Sequence, residues 1–473
     1  MSKLLHLAVG LAVATHMASA QRIAVGPNVP ASTSRPDTPH NEVVIAVDPA
    51  NAMRMIACSM LLRTDGTYGT AAYVSFDGGQ SWSGTAESSG AATDPACAYG
   101  VNGAVFFTHK NRLGSGRPVG ELTGSDYDRL AIHRSRDGGR TWEPEVRGPQ
   151  TTDRPWIAVD PNAAPPPWGR LFVAYNAHVH SVEPGRHDHE HFRNAVALQA
   201  SDDGGAHFHT QALRALLEQT AEVGSNAALC DVVVLSDGTA VVLYAHQRVG
   251  GRNPATGKPA EIGAALHVLR SADQGESFES AVRVAEITGG YNTEHTRAVP
   301  ARLAADPGSR AFRDRLYAVW ADFGSGRGRI LVAHSADAGK SWSTPRAVSD
   351  DTVRARAPGG PDSFMATVAV NRAGVVGVLW YDRRDQPDNR GYRVRFAASF
   401  DGGLTWTPSV PASSAPNSAK LAQQRGQTAP FFLVSGGDTA GLTAGPDGRF
   451  WAAWIDNRTG VQQVWTASLN VSR

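Results

Sequence analysis

Short runs in which apolar and polar residues alternate recur along most of the chain. Ala131-Ile-His-Arg-Ser and Thr141-Trp-Glu-Pro-Glu-Val show the alternation, and Pro155-Trp-Ile-Ala-Val-Asp followed by Arg170-Leu-Phe-Val-Ala-Tyr shows a more continuously apolar form. A period of two over four to eight residues predicts a strand with one buried face, and a short continuous apolar run predicts a strand covered on both. Clusters of Gly, Pro, Asp and Ser separate the runs, as turns between strands require. The chain of 473 residues carries 49 Gly and 28 Pro, a density of breakers that disfavours long helical bundles. The pattern therefore predicts an all-β protein built from many short strands.

One octapeptide repeats within this pattern and sets its scale. Ser75, Asp77, Gly79 and Trp82 recur as Ser135/Asp137/Gly139/Trp142, Ser201/Asp203/Gly205/Phe208, Ser271/Asp273/Gly275/Phe278, Ser335/Asp337/Gly339/Trp342 and Ser399/Asp401/Gly403/Trp406. The aspartates follow one another at intervals of 60, 66, 70, 64 and 64 residues. In each copy Asp can accept hydrogen bonds from its own turn, Gly can take a positive φ, and the aromatic can pack beneath the hairpin. Four short strands per interval is the signature of a propeller blade. Beyond the sixth copy, segments starting at Asp438, Arg449 and Val461 read as three more strands. Arg22-Ile-Ala-Val-Gly-Pro-Asn-Val supplies a fourth, because a propeller must close its ring to remove open sheet edges. Seven blades follow, closed by the N-terminal strand; six blades with a C-terminal extension is the alternative.

Composition narrows the partners. The formal net charge is +1 and charged residues make up 19%, which leaves no electrostatic footprint for nucleic acid. Lys3, the apolar run from Leu4, and Ala18-Ser-Ala20 form a signal-peptide layout with cleavage before Gln21, so residues 1–20 are expected to direct export to the periplasm or the extracellular space. No later apolar stretch is long enough to span a bilayer. Residues 21–473 are expected to form a single propeller domain, acting as a monomer. Three cysteines cannot form a disulfide framework. Cys58 and Cys97 could pair, or all three could be small buried residues.

The octapeptide is identified as the Asp-box, or bacterial neuraminidase repeat, and the chain resembles the sialidase superfamily along essentially its whole mature length. The repeat itself is structural, so Asp77, Asp137, Asp203, Asp273, Asp337 and Asp401 are expected to hold turns at the rim opposite the ligand-binding mouth. The resemblance implies chemistry at the other rim: an arginine triad on the substrate carboxylate, an Asp acid/base, and a Tyr nucleophile activated by a Glu. By position it implies Asp65 as acid/base; Arg35 is the nearest counterpart of the first clamp arginine and Arg248, displaced by a few residues, of the second, while Arg297 and Tyr381 are available as the third arginine and the nucleophile. The chain also departs from the family. Arg35-Pro-Asp stands where an Arg-Ile-Pro motif is expected, and in Gly224–Gly238 the position of the glutamate is filled by Leu229, which cannot accept a proton, so the Tyr/Glu pair is incomplete unless Glu222 or Asp231 substitutes.

Other constellations come from the residues themselves. Aromatic residues followed by His or Asp, and then by Arg, recur at the ends of second strands: Phe107/His109/Arg112, Tyr244/His246/Arg248, Trp320/Asp322/Arg327, Tyr381/Asp382/Arg383 and Trp454/Asp456/Arg458. Equivalent positions share one face. They read as a ring of charge suited to a hydroxyl-rich or anionic ligand, or as ties between loop and neighbouring Arg. Acidic residues also open the inner strands at Asp94, Asp153, Asp362 and Asp438. These acids could chelate calcium or satisfy backbone donors at tight turns. Asp153-Arg154-Pro155-Trp156 adds a guanidinium and an aromatic platform. A His-rich stretch places His187, His189 and His191 on one side of an extended segment, a donor set for a transition metal. No cofactor is required by the leading reading, an exported sialidase-like glycosidase acting on acidic carbohydrate. The alternatives are a non-catalytic propeller that binds a glycan or protein, and a polysaccharide lyase using the histidines as base with Tyr175 as proton donor.

Overall fold

A computed structural model describes residues 22–112, 128–151, 153–160, 162–163, 168–180, 192–209, 225–252, 259–288, 301–306, 308–352, 360–386, 389–418 and 436–473. The described residues contain strands and turns but no helix, hence none long and apolar enough to cross a membrane. The expected leader, residues 1–20, lies outside them.

The chain opens with β1 (Arg22–Val25) and β2 (Val29–Pro30). Blade 1 is β3 (His40–Asp48), β4 (Asn51–Leu62), β5 (Tyr68–Ser75) and β6 (Ser83–Glu87). Blade 2 is β7 (Ala92–Tyr99), β8 (Val105–Asn111), β9 (Arg129–Ser135) and β10 (Val146–Gln150). Blade 3 is β11 (Asp153–Asp160), β12 (Arg170–His180) and β13 (Phe192–Ser201). Blade 4 is β14 (Ser225–Val234), β15 (Ala240–Arg252), β16 (Pro259–Ser271) and β17 (Val282–Ile287). Blade 5 is β18 (Arg302–Ala305), β19 (Leu316–Asp322), β20 (Arg329–Ser335) and β21 (Arg346–Ala347). Blade 6 is β22 (Ser363–Val370), β23 (Val376–Asp382), β24 (Arg393–Ser399) and β25 (Val410–Pro411). Blade 7 is β26 (Gly441–Ala444), β27 (Phe450–Asp456) and β28 (Gln463–Ser472).

Each blade is an antiparallel meander, and the seven sheets make a seven-bladed propeller. β1 runs antiparallel along β28, pairing Arg22 with Ser472 and Val25 with Leu469, and β2 pairs with the same strand. The N-terminal strand thus closes the ring as the edge argument requires, and the six-blade alternative is excluded. The core lies between blade faces: Trp380, Tyr381, Tyr392, Phe396, Phe450 and Trp454 pack within one cluster spanning blades 5 to 7. Cys58, Cys97 and Cys230 are buried free thiols, with the first two in the core between blades 1 and 2.

The Asp-boxes act as local plugs. In blade 2, Asp137 accepts hydrogen bonds from Ser135 Oγ (2.7 Å), Thr141 N (3.0 Å) and Thr141 Oγ1 (2.7 Å), while Gly139 N donates to Ser135 Oγ (2.8 Å). The other five boxes repeat the pattern around Asp77, Asp203, Asp273, Asp337 and Asp401. The second box glycine also needs its missing side chain. With φ of +91°, a Cβ on Gly139 would stand 2.7 Å from Val74 of blade 1, and one on Gly79 would stand 2.7 Å from Trp451 of blade 7. The box glycine therefore sits against the preceding blade, across the ring closure as well.

Candidate functional site: a charged throat

In a four-stranded antiparallel meander the first and third hairpins share one rim with the boxes. The starts of the inner strands and the loops between second and third strands share the other. At that second rim the inner strands are irregular. Their pairing with the second strand slips between Asn41 and Val43, Thr93 and Ala96, Asp153 and Trp156, Leu229 and Asp231, and Phe364 and Thr367. In four of these bulges a non-glycine residue is left-handed: Glu42 (φ 51°), Asp94 (φ 55°), Arg154 (φ 49°) and Met365 (φ 55°). Each such residue costs about 1–3 kcal/mol of backbone strain, which the surrounding ring must hold. A bulge re-aims a side chain. Here three of the four, Glu42, Asp94 and Arg154, line one pocket with Trp156, Arg302 and Asp438, a cavity of about 30 Å³.

Charges in this throat are paired. Arg154 Nη2 donates to Asp438 Oδ2 at 2.7 Å, and its Nε lies 3.6 Å from Asp153. Lys110, from the end of β8, reaches Asp94 at 3.1 Å and Asp153 at 3.6 Å. Arg302 lies 3.8 Å from Asp231 and stacks its guanidinium 3.9 Å above the Trp156 ring. Protonation differs between neighbouring acids. Burial, reinforced by the charges of Asp94 and Asp438, pushes the Glu42 carboxyl well up. Burial acts the same way on Asp94, but Lys110 and the Thr93 hydroxyl outweigh it and hold that carboxyl below the usual range. Burial raises Asp231 to about 6 despite Arg302. A protonated acid beside an ionised carboxylate is the arrangement that acid/base chemistry uses.

Of the residues expected from sequence, Arg154 and Trp156 line the throat. Leu229 lines it too, fully buried, its N–H donating to Asn176 Oδ1 at 2.7 Å. The others are placed elsewhere or tied down. Asp65 is exposed at the β4–β5 turn, where its Oδ1 accepts from Thr67 N (2.8 Å) and Oγ1 (2.7 Å). Those bonds hold its carboxyl below the usual range. Tyr381 is wholly buried, stacked on Tyr392 with ring centres 4.2 Å apart, and its oxygen accepts from Ile455 N at 3.3 Å. Arg35 donates through Nε (3.0 Å) and Nη2 (2.8 Å) to Glu87. Arg383 donates to Asn389 O (2.9 Å) and lies over Phe364. Arg248 pairs with Ser225 and Gly263 through its backbone. Arg297, His187, His189 and His191 lie outside the described residues.

Asp382 belongs to a clamp. It accepts from Trp380 Nε1 (2.9 Å) and from Arg384 Nε and Nη2 (both 2.8 Å). Asp456 does the same with Trp454 Nε1 (2.9 Å) and Arg458 Nε (2.9 Å) in blade 7. The repeating unit is thus Trp-x-Asp-x-Arg, with Trp380 rather than Tyr381 as its aromatic. Among the inner-strand acids, Asp362 accepts from Gly328 N (2.8 Å) and Asn389 Nδ2 (2.7 Å), satisfying a backbone donor, whereas Asp94 and Asp438 line the throat. Tyr175 donates to Gln199 Oε1 at 2.7 Å in the core. Sequence reading missed Glu42 and Arg302. The one available signal for Glu42 was a charge interrupting the start of the apolar strand Val43-Val-Ile.

Six boxes on seven antiparallel blades define an Asp-box β-propeller. The BNR/Asp-box repeat family matches residues 73–83. The chain thus carries this repeat on a seven-bladed propeller. Among solved structures, a protein of unknown function from Dyadobacter fermentans is 12% identical, covering 95% of this chain and 99% of its own, with a TM-score of 0.48. A Hadza microbial sialidase is 16% identical, covering 89% and 74%, with a TM-score of 0.44. The NanB sialidase from Streptococcus pneumoniae is 12% identical, covering 93% and 70%, with a TM-score of 0.44. No curated protein matches the sequence significantly.

Proposed function

We propose that the protein is an exported, monomeric glycoside hydrolase that binds a carbohydrate, acidic in character, over the throat, with Glu42 as general acid and Asp94 as the ionised carboxylate. The observation that carries this reading is the set of left-handed bulges that turn Glu42, Asp94 and Arg154 into one pocket. Strain held at one mouth, with unlike protonation of adjacent acids, supports a site under functional constraint. Arg154 supplies a guanidinium for a carboxylate or hydroxyl group of the sugar. Export rests on the leader at residues 1–20.

The test is turnover of a panel of glycosides with alkyl or sugar leaving groups, including a sialoside and uronides, by the full chain and by Glu42→Gln and Asp94→Asn. Loss of turnover in both variants, with fold retained, supports the reading; unchanged turnover in both refutes it. A second reading has its own support. Tyr381 in the core, Arg35 paired with Glu87, and Leu229 in the pocket leave the sialidase nucleophile and clamp unassembled among the described residues. On that reading the throat binds a glycan without cleaving it, and calorimetry shows binding that Arg154→Ala weakens while no product forms. A lyase would instead release an unsaturated product absorbing in the ultraviolet. A calcium ion among the throat acids would have to share them with Arg154 and Lys110.

A further inference from the structure

Successive residues of a strand face opposite ways. Lys110 reaches the throat acids, so His109 belongs to the other face of β8 with Phe107, toward blade 1. There His109 Nε2 lies 3.0 Å from Nε2 of His133 on β9. His133 Nε2 lies 3.7 Å from Glu145 Oε2, just after the blade 2 box. One ligand atom from each of the three residues falls within 4.8 Å of the others.

Their surroundings hold these groups in place. Phe107 stacks on the His133 ring at 5.2 Å and 20°. Trp142 stands edge-on to the same ring, its Nε1 donating to Thr85 Oγ1 at 3.2 Å. Asn111 Nδ2 donates to Glu145 Oε1 at 3.1 Å, leaving Oε2 for the cluster. Outer partners of this kind orient metal ligands. His109 is fully buried, while 13% of the His133 side chain and 27% of the Glu145 side chain remain exposed, so an ion has a way in.

We propose that His109, His133 and Glu145 bind a divalent transition-metal ion, for which zinc is the best match to two imidazoles and a carboxylate. Two imidazole nitrogens on a tetrahedral zinc stand about 3.3 Å apart for bonds of about 2.0–2.1 Å. The 3.0 Å pair needs to open by only a few tenths of an ångström. Three protein ligands leave one position for water. The bound ion joins β8, β9 and the segment after the box, and so ties blade 2 together on its blade 1 side.

The experiment uses the full chain in a background carrying His187→Ala, His189→Ala and His191→Ala, which removes the competing His-rich stretch. Metal-stripped protein is titrated with zinc by calorimetry and with cobalt(II) by visible absorption. The expected result is one equivalent bound, with cobalt bands of a low-coordinate site and a zinc-dependent rise in the unfolding temperature. Glu145→Gln and His133→Asn, each checked for fold by circular dichroism, are expected to weaken binding at least about tenfold. Glu145→Gln is partly exposed and keeps the test open if the histidine variant does not fold. Failure of the folded parent to bind either ion would overturn the proposal and leave the pair as a hydrogen bond between neutral rings. Unchanged affinity in the variants would overturn it as well.

Discussion

Replacing Asp137 by Asn changes one charge in one Asp-box and leaves its shape. Hydrogen bonds from Thr141 and Ser135 outweigh the cost of burial and hold the Asp137 carboxyl at about 2. A free Asp titrates near about 3.9, and each unit of difference is worth about 1.4 kcal/mol, which gives about 2.5 kcal/mol before screening. Asp137 is half-buried, and solvent screening reduces this to about 1 kcal/mol. Because the folded value is depressed, the contribution is present above the unfolded value and is lost as pH falls through the folded one. It is nearly complete at about pH 5 and about halved at about pH 3. Guanidinium denaturation of wild type and Asp137→Asn at those two pH values measures it. The variant is expected to be less stable at the higher pH, with the gap narrowing at the lower. Equal stability at about pH 5, or a gap independent of pH, would refute the reading that a charged acceptor holds the box.

Other predictions concern the throat and the core. Arg154→Ala leaves Asp438 and Asp153 without their guanidinium and is expected to cost about 1.5–3 kcal/mol in denaturation experiments, since these side chains are partly exposed. Part of that loss should be recovered in mild acid, because the Asp153 carboxyl, pushed up by burial and by Asp94, is destabilising only while ionised. Tyr381→Phe should cost about 1–2 kcal/mol by orphaning the Ile455 N–H and leave turnover unchanged; a fall of orders of magnitude in turnover would restore Tyr381 as nucleophile. The pH profile should have an acid limb below the usual carboxylate range, where Asp94 takes up its proton, and an alkaline limb above it, where Glu42 loses its own. With a leaving group that needs no protonation, Glu42→Gln should abolish the alkaline limb and keep the acid one.

The repeat and the ring were legible because their interactions are local or follow from a count. Ser135, Asp137, Gly139 and Thr141 bond within a few positions of one another, so the spacing of residue types carries the structure directly. The seventh blade followed from a strand left without a partner, and β1 on β28 is the answer. The throat was only partly legible. Asp94, Asp153, Arg154 and Asp438 were visible as charges at inner-strand starts. Nothing in the sequence marked Glu42 and Arg154 as left-handed, since φ there is imposed by the packing of the ring. Tyr381 shows the reverse error: the aromatic before Asp382 looks like a mouth residue, yet alternation turns it into the core and gives the clamp to Trp380.

Composition, alternation and the octapeptide are therefore enough to specify blades, turns and closure, because each depends on residues near in sequence or on the need to leave no sheet edge unpaired. The throat depends on contacts such as Arg154 with Asp438, which are 284 positions apart, and on Lys110, which sits among Asp94, Asp128 and Asp153. Which charge meets which, and which acid keeps its proton, is decided by burial and proximity. Those arise only once seven separate strand starts are brought around one axis.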